Sequence, residues 1–192
     1  MIENFNEKIN LRIEQFDKLK ENNNIFNAIA VMDSALKNGS KVLIFGNGGS
    51  STQASHFAAE LVNKFYYERG AVPAIALTDN IANITSIAND SDFKYVFSRQ
   101  VEAVAKEGDV AVGISTSGTS ENVLDALRVS RTLNLKTVML CGENITPPEE
   151  CGVDVIIPVH STDTPVIQEM HLFILHIFAE ILEKNLFPVP GS

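Results

Sequence analysis

Two apolar runs, each ended by a polar, glycine-punctuated turn and then a helix-like stretch, limit what this chain can fold into. Lys41-Val42-Leu43-Ile44-Phe45 leads into Gly46-Asn47-Gly48-Gly49-Ser50, and Val110-Ala111-Val112-Gly113-Ile114 leads into Ser115-Thr116-Ser117-Gly118-Thr119-Ser120. Short apolar runs without polar alternation read as strands buried on both faces, and such strands belong to parallel sheets with helical crossovers. Residues 74–77, 137–141 and 153–158 read as further strands. Residues 50–64, 80–88, 93–105, 120–133 and 165–184 read as helices, the last with Thr164 as N-cap and Pro165 in first position. The expectation is an α/β fold: a three-layer, open parallel sheet in one domain over 1–192. Two helices precede it. Phe5, Ile9, Ile13 and Phe16 mark one over 3–20; Ile25, Ile29, Met32 and Leu36 mark another over 25–37, closed by Asn38-Gly39. Both are expected to pack on the domain or on a neighbouring subunit.

The strand–turn–helix unit also fixes where a ligand goes. In open parallel sheets ligands bind beyond the carboxyl ends of the strands, where helix N-termini present unpaired N–H groups to anions. Two such turns point to a phosphorylated small molecule with a second anchor for its polar body. The formal net charge of -9 argues against a nucleic-acid partner, so a phosphate must be held by N–H and hydroxyl groups rather than by a basic patch. The first turn is neither the dinucleotide fingerprint, which needs glycine where Ser51 stands, nor a P-loop, which needs Gly-Lys-Ser/Thr. The second turn packs five hydroxyls into six residues around Gly118, a phosphate cradle without positive charge. Cys141 and Cys151 form no metal-like spacing or disulfide framework. The N-terminus is polar, and no apolar run reaches the ~18 residues of a membrane span. The chain is expected in the cytoplasm, away from membranes.

Three groups carry candidate chemistry. His56 and Glu60, four apart on one helix face, suit a metal, an acid/base pair or a plain surface contact. Gln168, His171 and His176 are polar in an otherwise apolar helix and need partners there. Gln168 and His176 diverge by roughly 80° and ~12 Å along the axis, so they reach one metal only from opposite sides. Asn89-Asp90 is by itself a turn signal.

Read together, Phe45-Gly46-Asn47-Gly48-Gly49-Ser50, His56-Phe57-Ala58-Ala59-Glu60-Leu61, Asn89-Asp90, Gly113-Ile114-Ser115-Thr116-Ser117-Gly118 and Ile167-Gln168-Glu169-Met170-His171 resemble the sugar isomerase (SIS) domain family, and within it the phosphoheptose isomerases. The resemblance covers nearly the whole chain in order. It implies a flavodoxin-like sheet and an aldose–ketose isomerisation of sedoheptulose 7-phosphate to D-glycero-D-manno-heptose 7-phosphate through an enediol, the first step toward ADP-heptose for lipopolysaccharide core or capsule. It implies that Ser115, Thr116, Ser117 and Ser120 hold the phosphate and that Asn47, Gly48, Gly49, Asn89, Asp90 and Gln168 contact the sugar, along with Glu60. It further implies one zinc per subunit on His56, Glu60, Gln168 and His176, Glu60 and His176 as the acid/base pair, and a homotetramer with sites at subunit interfaces. One departure is that residues 162–166 lack the charged residue some members carry just before the glutamine, Asp163 standing in an offset register. Two other readings stand beside this one: an isomerase of another sugar phosphate, and a non-catalytic SIS protein that binds a replication initiator. The presence of both Glu60 and His176 speaks against the latter.

Overall fold

In the computed structural model, which describes residues 2–143 and 152–188, the elements alternate as the strand pattern requires. They are α1 (Ile2–Leu19), α2 (Asn24–Lys37), β1 (Val42–Gly46), α3 (Gly49–Val62), β2 (Ala74–Ala76), α4 (Ile81–Asp90), α5 (Ser98–Val104), β3 (Val110–Ser115), α6 (Glu121–Thr132), β4 (Lys136–Gly142), β5 (Val155–Val159) and α7 (Thr164–Leu186). Every strand pairing is parallel and the order is β2-β1-β3-β4-β5, the flavodoxin-like order. β1 and β3 are neighbours whose next strands lie in opposite directions. The topological switch point, where such sheets take their ligands, is therefore between the two turns singled out above.

The sheet is buried on both faces because alternate residues of each apolar run feed opposite cores. Val42, Ile44, Val112, Ile114, Val138, Leu140 and Ile157 face one cluster, built with α2, α3 and α7. Leu43, Phe45, Ala111, Met139 and Cys141 face the other, built with α5, α6 and the Val96-Phe97 turn. At about 25 cal/mol per Å² of apolar surface removed from water, this two-sided burial is the main stabilising term.

Several boundaries differ from the sequence expectation. The helix expected over 93–105 is a 3-10 turn at Phe93–Tyr95 followed by α5. Asp92 Oδ1 accepts the Lys94 N–H at 2.7 Å and starts a tight turn, which lets Val96 and Phe97 both plug the second core. The last strand starts at Val155 rather than Val153, because Asp154 turns its carboxylate onto the Thr137 N–H and hydroxyl at 2.8 and 2.9 Å. Asp163, not Thr164, is the cap residue of α7, and its side chain makes no capping bond. Against the expectation that no apolar run reaches a membrane-spanning length, α7 holds within its 23 residues an 18-residue stretch of mean hydropathy 1.4, long and apolar enough to cross one. Here that apolarity serves the sheet, since Ile174, Leu175, Phe178 and Leu182 are fully buried.

The two leading helices differ. α2 buries Ile25, Ala28, Ile29 and Met32 against the sheet. α1 is tied to α7 by a two-pronged Arg12–Glu169 pair at 2.7 and 2.8 Å and by Phe16 edge-on to Phe173, yet leaves Phe5 64% and Ile13 53% exposed. α4 has no buried residue at all. Cys141 is a buried free thiol, held well above the ordinary range, to about 12, by desolvation; Cys151 lies outside the described residues.

Candidate active site

The turn after β1 depends on glycine at two points. Gly48 has φ 54°, the left-handed region that side chains disfavour. Gly49 opens α3, and a methyl group there would lie 2.5 Å from the Gln168 amide nitrogen, so a side chain at 49 would push the end of Gln168 out of its present position. α3 starts without a side-chain cap. Asn47 exchanges two amide hydrogen bonds of 2.8 Å with Asn122, a buried residue in the first turn of α6. That pair joins the glycine turn to the hydroxyl turn. Asn122 has no motif of its own, and only its place just after the Ser-rich turn could have drawn attention to it.

The turn after β3 is a knot of hydroxyls. Ser115 Oγ lies 2.9 Å from Ser120 Oγ and accepts the Gly118 N–H at 3.0 Å, while Ser117 Oγ accepts the Thr119 N–H at 3.3 Å. Ser115 is buried, Thr116 and Ser120 are half-buried and Ser117 is exposed. A cavity of about 220 Å³ opens beside Thr116 and Ser117, walled by Gly142, Thr164 and Ile167. Ser120 caps α6 without spending its side chain on the cap, so first-turn N–H groups and hydroxyls face the same space.

The third group assembles across the fold. His56 and Glu60 project from α3, and His176, 120 residues from His56, comes in from α7. His56 Nε2 lies 3.0 Å from Glu60 Oε1 and 3.1 Å from His176 Nε2; His176 Nε2 lies 3.5 Å from the same oxygen. One ligand atom from each residue falls within 4.8 Å of the others, a set that could hold a metal ion. Glu60 Oε2 is buried without a hydrogen-bond partner. Burial raises the Glu60 carboxyl above the ordinary range against the opposing pull of His56 and His176. A carboxylate held uncomfortably beside two imidazoles can accept a proton or a cation.

The remaining expected residues are placed differently. The Gln168 side chain lies against Gly49, and the Gln168 main-chain carbonyl accepts Gln53 Nε2 at 2.7 Å. Asn89 and Asp90 end α4, both exposed, bonded to one another at 2.7 Å. His171 is a core residue: fully buried, its Nε2 is 3.2 Å from the Cys141 carbonyl, and desolvation lowers its pKa to about 4.

The SIS domain family model matches residues 4–142. The chain is 50% identical to a phosphoheptose isomerase of Geotalea daltonii over 159 residues, covering 83% of this chain and 82% of that one. It is 44% identical to the phosphoheptose isomerase of Thermodesulfovibrio yellowstonii over 93% of this chain and 88% of that one. Among solved structures, a phosphoheptose isomerase from Francisella tularensis superposes with a TM-score of 0.89 at 34% identity, covering 95% of this chain and 98% of the other. On the parallel sheet, the two turns and these relatives, the chain belongs to the SIS domain family and, within it, to the phosphoheptose isomerases.

Proposed function

We propose that this chain converts sedoheptulose 7-phosphate to D-glycero-D-manno-heptose 7-phosphate, and that Glu60 and His176 move the protons. The observation that carries this is the meeting of Glu60 and His176 at 3.5 Å from two helices far apart in sequence. An aldose–ketose isomerisation needs a base for the carbon proton, an acid at oxygen and stabilisation of the developing oxyanion. Glu60, with its raised affinity for a proton, takes the proton from carbon; His176 delivers one at oxygen or to the neighbouring carbon. Ser115, Thr116, Ser117 and Ser120 hold the phosphate by hydroxyls and by the start of α6. Asn47, Gly48 and Gly49, with Asn89, Asp90 and Gln168, orient the sugar chain.

The donor set fits zinc: two imidazole nitrogens and a carboxylate oxygen converge, and the second carboxylate oxygen has no protein partner. His56, Glu60 and His176 would hold the ion, one per subunit, with Gln168 as a fourth ligand, and when bound it would supply Lewis-acid polarisation of the sugar oxygens. The apolar residues that α1 exposes, together with Ile81 of α4 at 72% exposure, support a homotetramer with sites at subunit interfaces. A single domain over 1–192 and a cytoplasmic location complete the reading.

The test is proton NMR with sedoheptulose 7-phosphate in heavy water. The expected product is heptose 7-phosphate carrying solvent deuterium at C2, with turnover lost on chelation and regained with zinc. Turnover of fructose 6-phosphate in preference would replace the substrate assignment, and no turnover of either would remove the isomerase reading.

A further inference from the structure

The C-terminal end of α3 and the far half of α7 are joined by an ion pair that the chemistry above leaves unused. The side chains of Arg69 and Glu183 are 2% and 1% exposed, and Arg69 Nε donates to Glu183 Oε1 at 3.0 Å. The main chain fills the rest of the carboxylate: the Phe65 N–H donates to Oε1 at 2.8 Å and the Tyr66 N–H to Oε2 at 2.7 Å. The other arms of the guanidinium reach back to α3. One donates to the Glu60 carbonyl at 2.7 Å and the other to the Leu61 carbonyl at 2.6 Å. Both are last-turn carbonyls, which a helix cannot satisfy by itself. Burial alone would raise the Glu183 carboxyl, but the two N–H groups and Arg69 outweigh it and hold the group below its ordinary range.

This pair touches both halves of the His–Glu site. Arg69 grips the backbone of Glu60 itself. Glu183 lies about two helical turns beyond His176 on α7. Phe65, whose N–H Glu183 holds, sets its ring 5.9 Å from the His176 ring. Stability alone is a poor reason for such a pair, because well-packed apolar replacements of buried ion pairs are often as stable or more so. Direction is the better reason. Five charge-assisted hydrogen bonds fix the end of α3, the 65–69 segment and α7 in one arrangement.

We propose that Arg69 and Glu183 are positioning residues for the His56–Glu60–His176 site: their ion pair sets the distance between Glu60 on α3 and His176 on α7, and through it the metal affinity and turnover of the site. The inference rests on the isomerase reading above. Neither residue contacts the phosphate turn, which hangs from β3 and α6. Losing the pair should therefore act on kcat and on metal binding rather than on KM.

The experiment uses the full chain, stripped with chelator and titrated with Co(II), whose ligand-field absorption reports the donor set directly. Arg69→Met, Arg69→Lys and Glu183→Gln are each expected to lower Co(II) affinity by about 10–100-fold. kcat should fall with it while KM stays within about twofold. Arg69→Lys decides the matter where Arg69→Met fails to fold, because it keeps the charge but cannot fork across two carbonyls and a carboxylate. Cooperatively folded variants that keep wild-type Co(II) affinity and kcat, with only a lower Tm, would overturn the proposal and leave the pair a structural tie. Wild-type protein that binds Co(II) and turns over beside such indifferent variants fails the positioning role alone. Wild-type protein with neither signal fails the reading of the site and the positioning role together.

Discussion

Two ionisable clusters sit along α7, and they are built in opposite ways. Around Glu183 each carboxylate oxygen has a donor, the guanidinium is forked onto backbone carbonyls, and nothing polar is left over. Around His176 the polar atoms face one another, the Glu60 Oε2 has no partner, and His56 is half exposed. Burial pushes Glu60 up, whereas hydrogen bonds pull Glu183 down against the same burial. Equal ingredients, a carboxylate beside a cationic or basic side chain, therefore serve two purposes. A satisfied cluster fixes geometry, and an unsatisfied one is ready to take a proton or a cation.

The largest effect expected from breaking this contrast is at Glu60. Glu60→Gln should cut kcat by about 10²–10⁴-fold while leaving Tm unchanged or slightly raised, since it removes a charge that burial disfavours. Stopped-time NMR assays beside a thermal melt check it, and near-wild-type turnover would take the base role from Glu60. The converse should hold at the satisfied cluster. Glu183→Ala leaves Arg69 buried without its counter-charge, at about 3–5 kcal/mol, or roughly 6–20 °C in Tm for a chain of this size. A melt within a few degrees of wild type would show that water reaches the pair.

His171 sharpens the comparison as a third polar group on the same helix, satisfied on one side only. Its folded pKa of about 4 lies below the ordinary 6.5, so the unfolded chain takes up a proton first as pH falls. Stability from this group is full above 6.5 and is lost as pH falls toward 4, by about 3 kcal/mol in all. Urea midpoints across that window should show the slope in wild type and lose it in His171→Met. An unchanged slope in the variant would assign it to other groups. The smallest effect belongs to Asn122. Asn122→Ala strands the Asn47 amide, which should cost about 1–2 kcal/mol in stability and raise KM with kcat nearly unchanged. A fall in kcat alone would mean that the glycine turn is held by something else.

These differences explain what could be read from the amino-acid order. β1, β3 and β4 were legible because a strand buried on both faces has no polar alternation to blur it. The 93–105 segment was misread because Phe93, Val96, Phe97 and Val101 fit a helical period until the Asp92 side chain intervenes. His56 and Glu60 were legible by spacing on one helix, and their meeting with His176 was implied only by resemblance. Arg69 and Glu183, 114 residues apart, had no local signal: neither Tyr-Glu-Arg-Gly nor Ile-Leu-Glu-Lys departs from an ordinary solvated stretch. Asn47 with Asn122 was hidden in the same way, 75 residues apart. Pairings across the sheet belong to topology, and local pattern does not carry them.

The placement of the ties between α3 and α7 has a mechanical consequence. At one end Gln168 lies against the bare Gly49 and its carbonyl holds Gln53; at the other Arg69 grips Glu60, Leu61 and Glu183. Two rods pinned near both ends can neither slide nor swing past each other. The wall of the cleft that carries the reacting groups is thus a fixed anvil. Accommodation to a longer or shorter sugar falls to the opposite wall, to the Ser115–Ser120 turn and to α4, which only the partly buried Ile84, Ile87 and Ala88 hold against the core. Drift in substrate choice among relatives of this chain should accumulate on that softer side, while the anvil stays as it is.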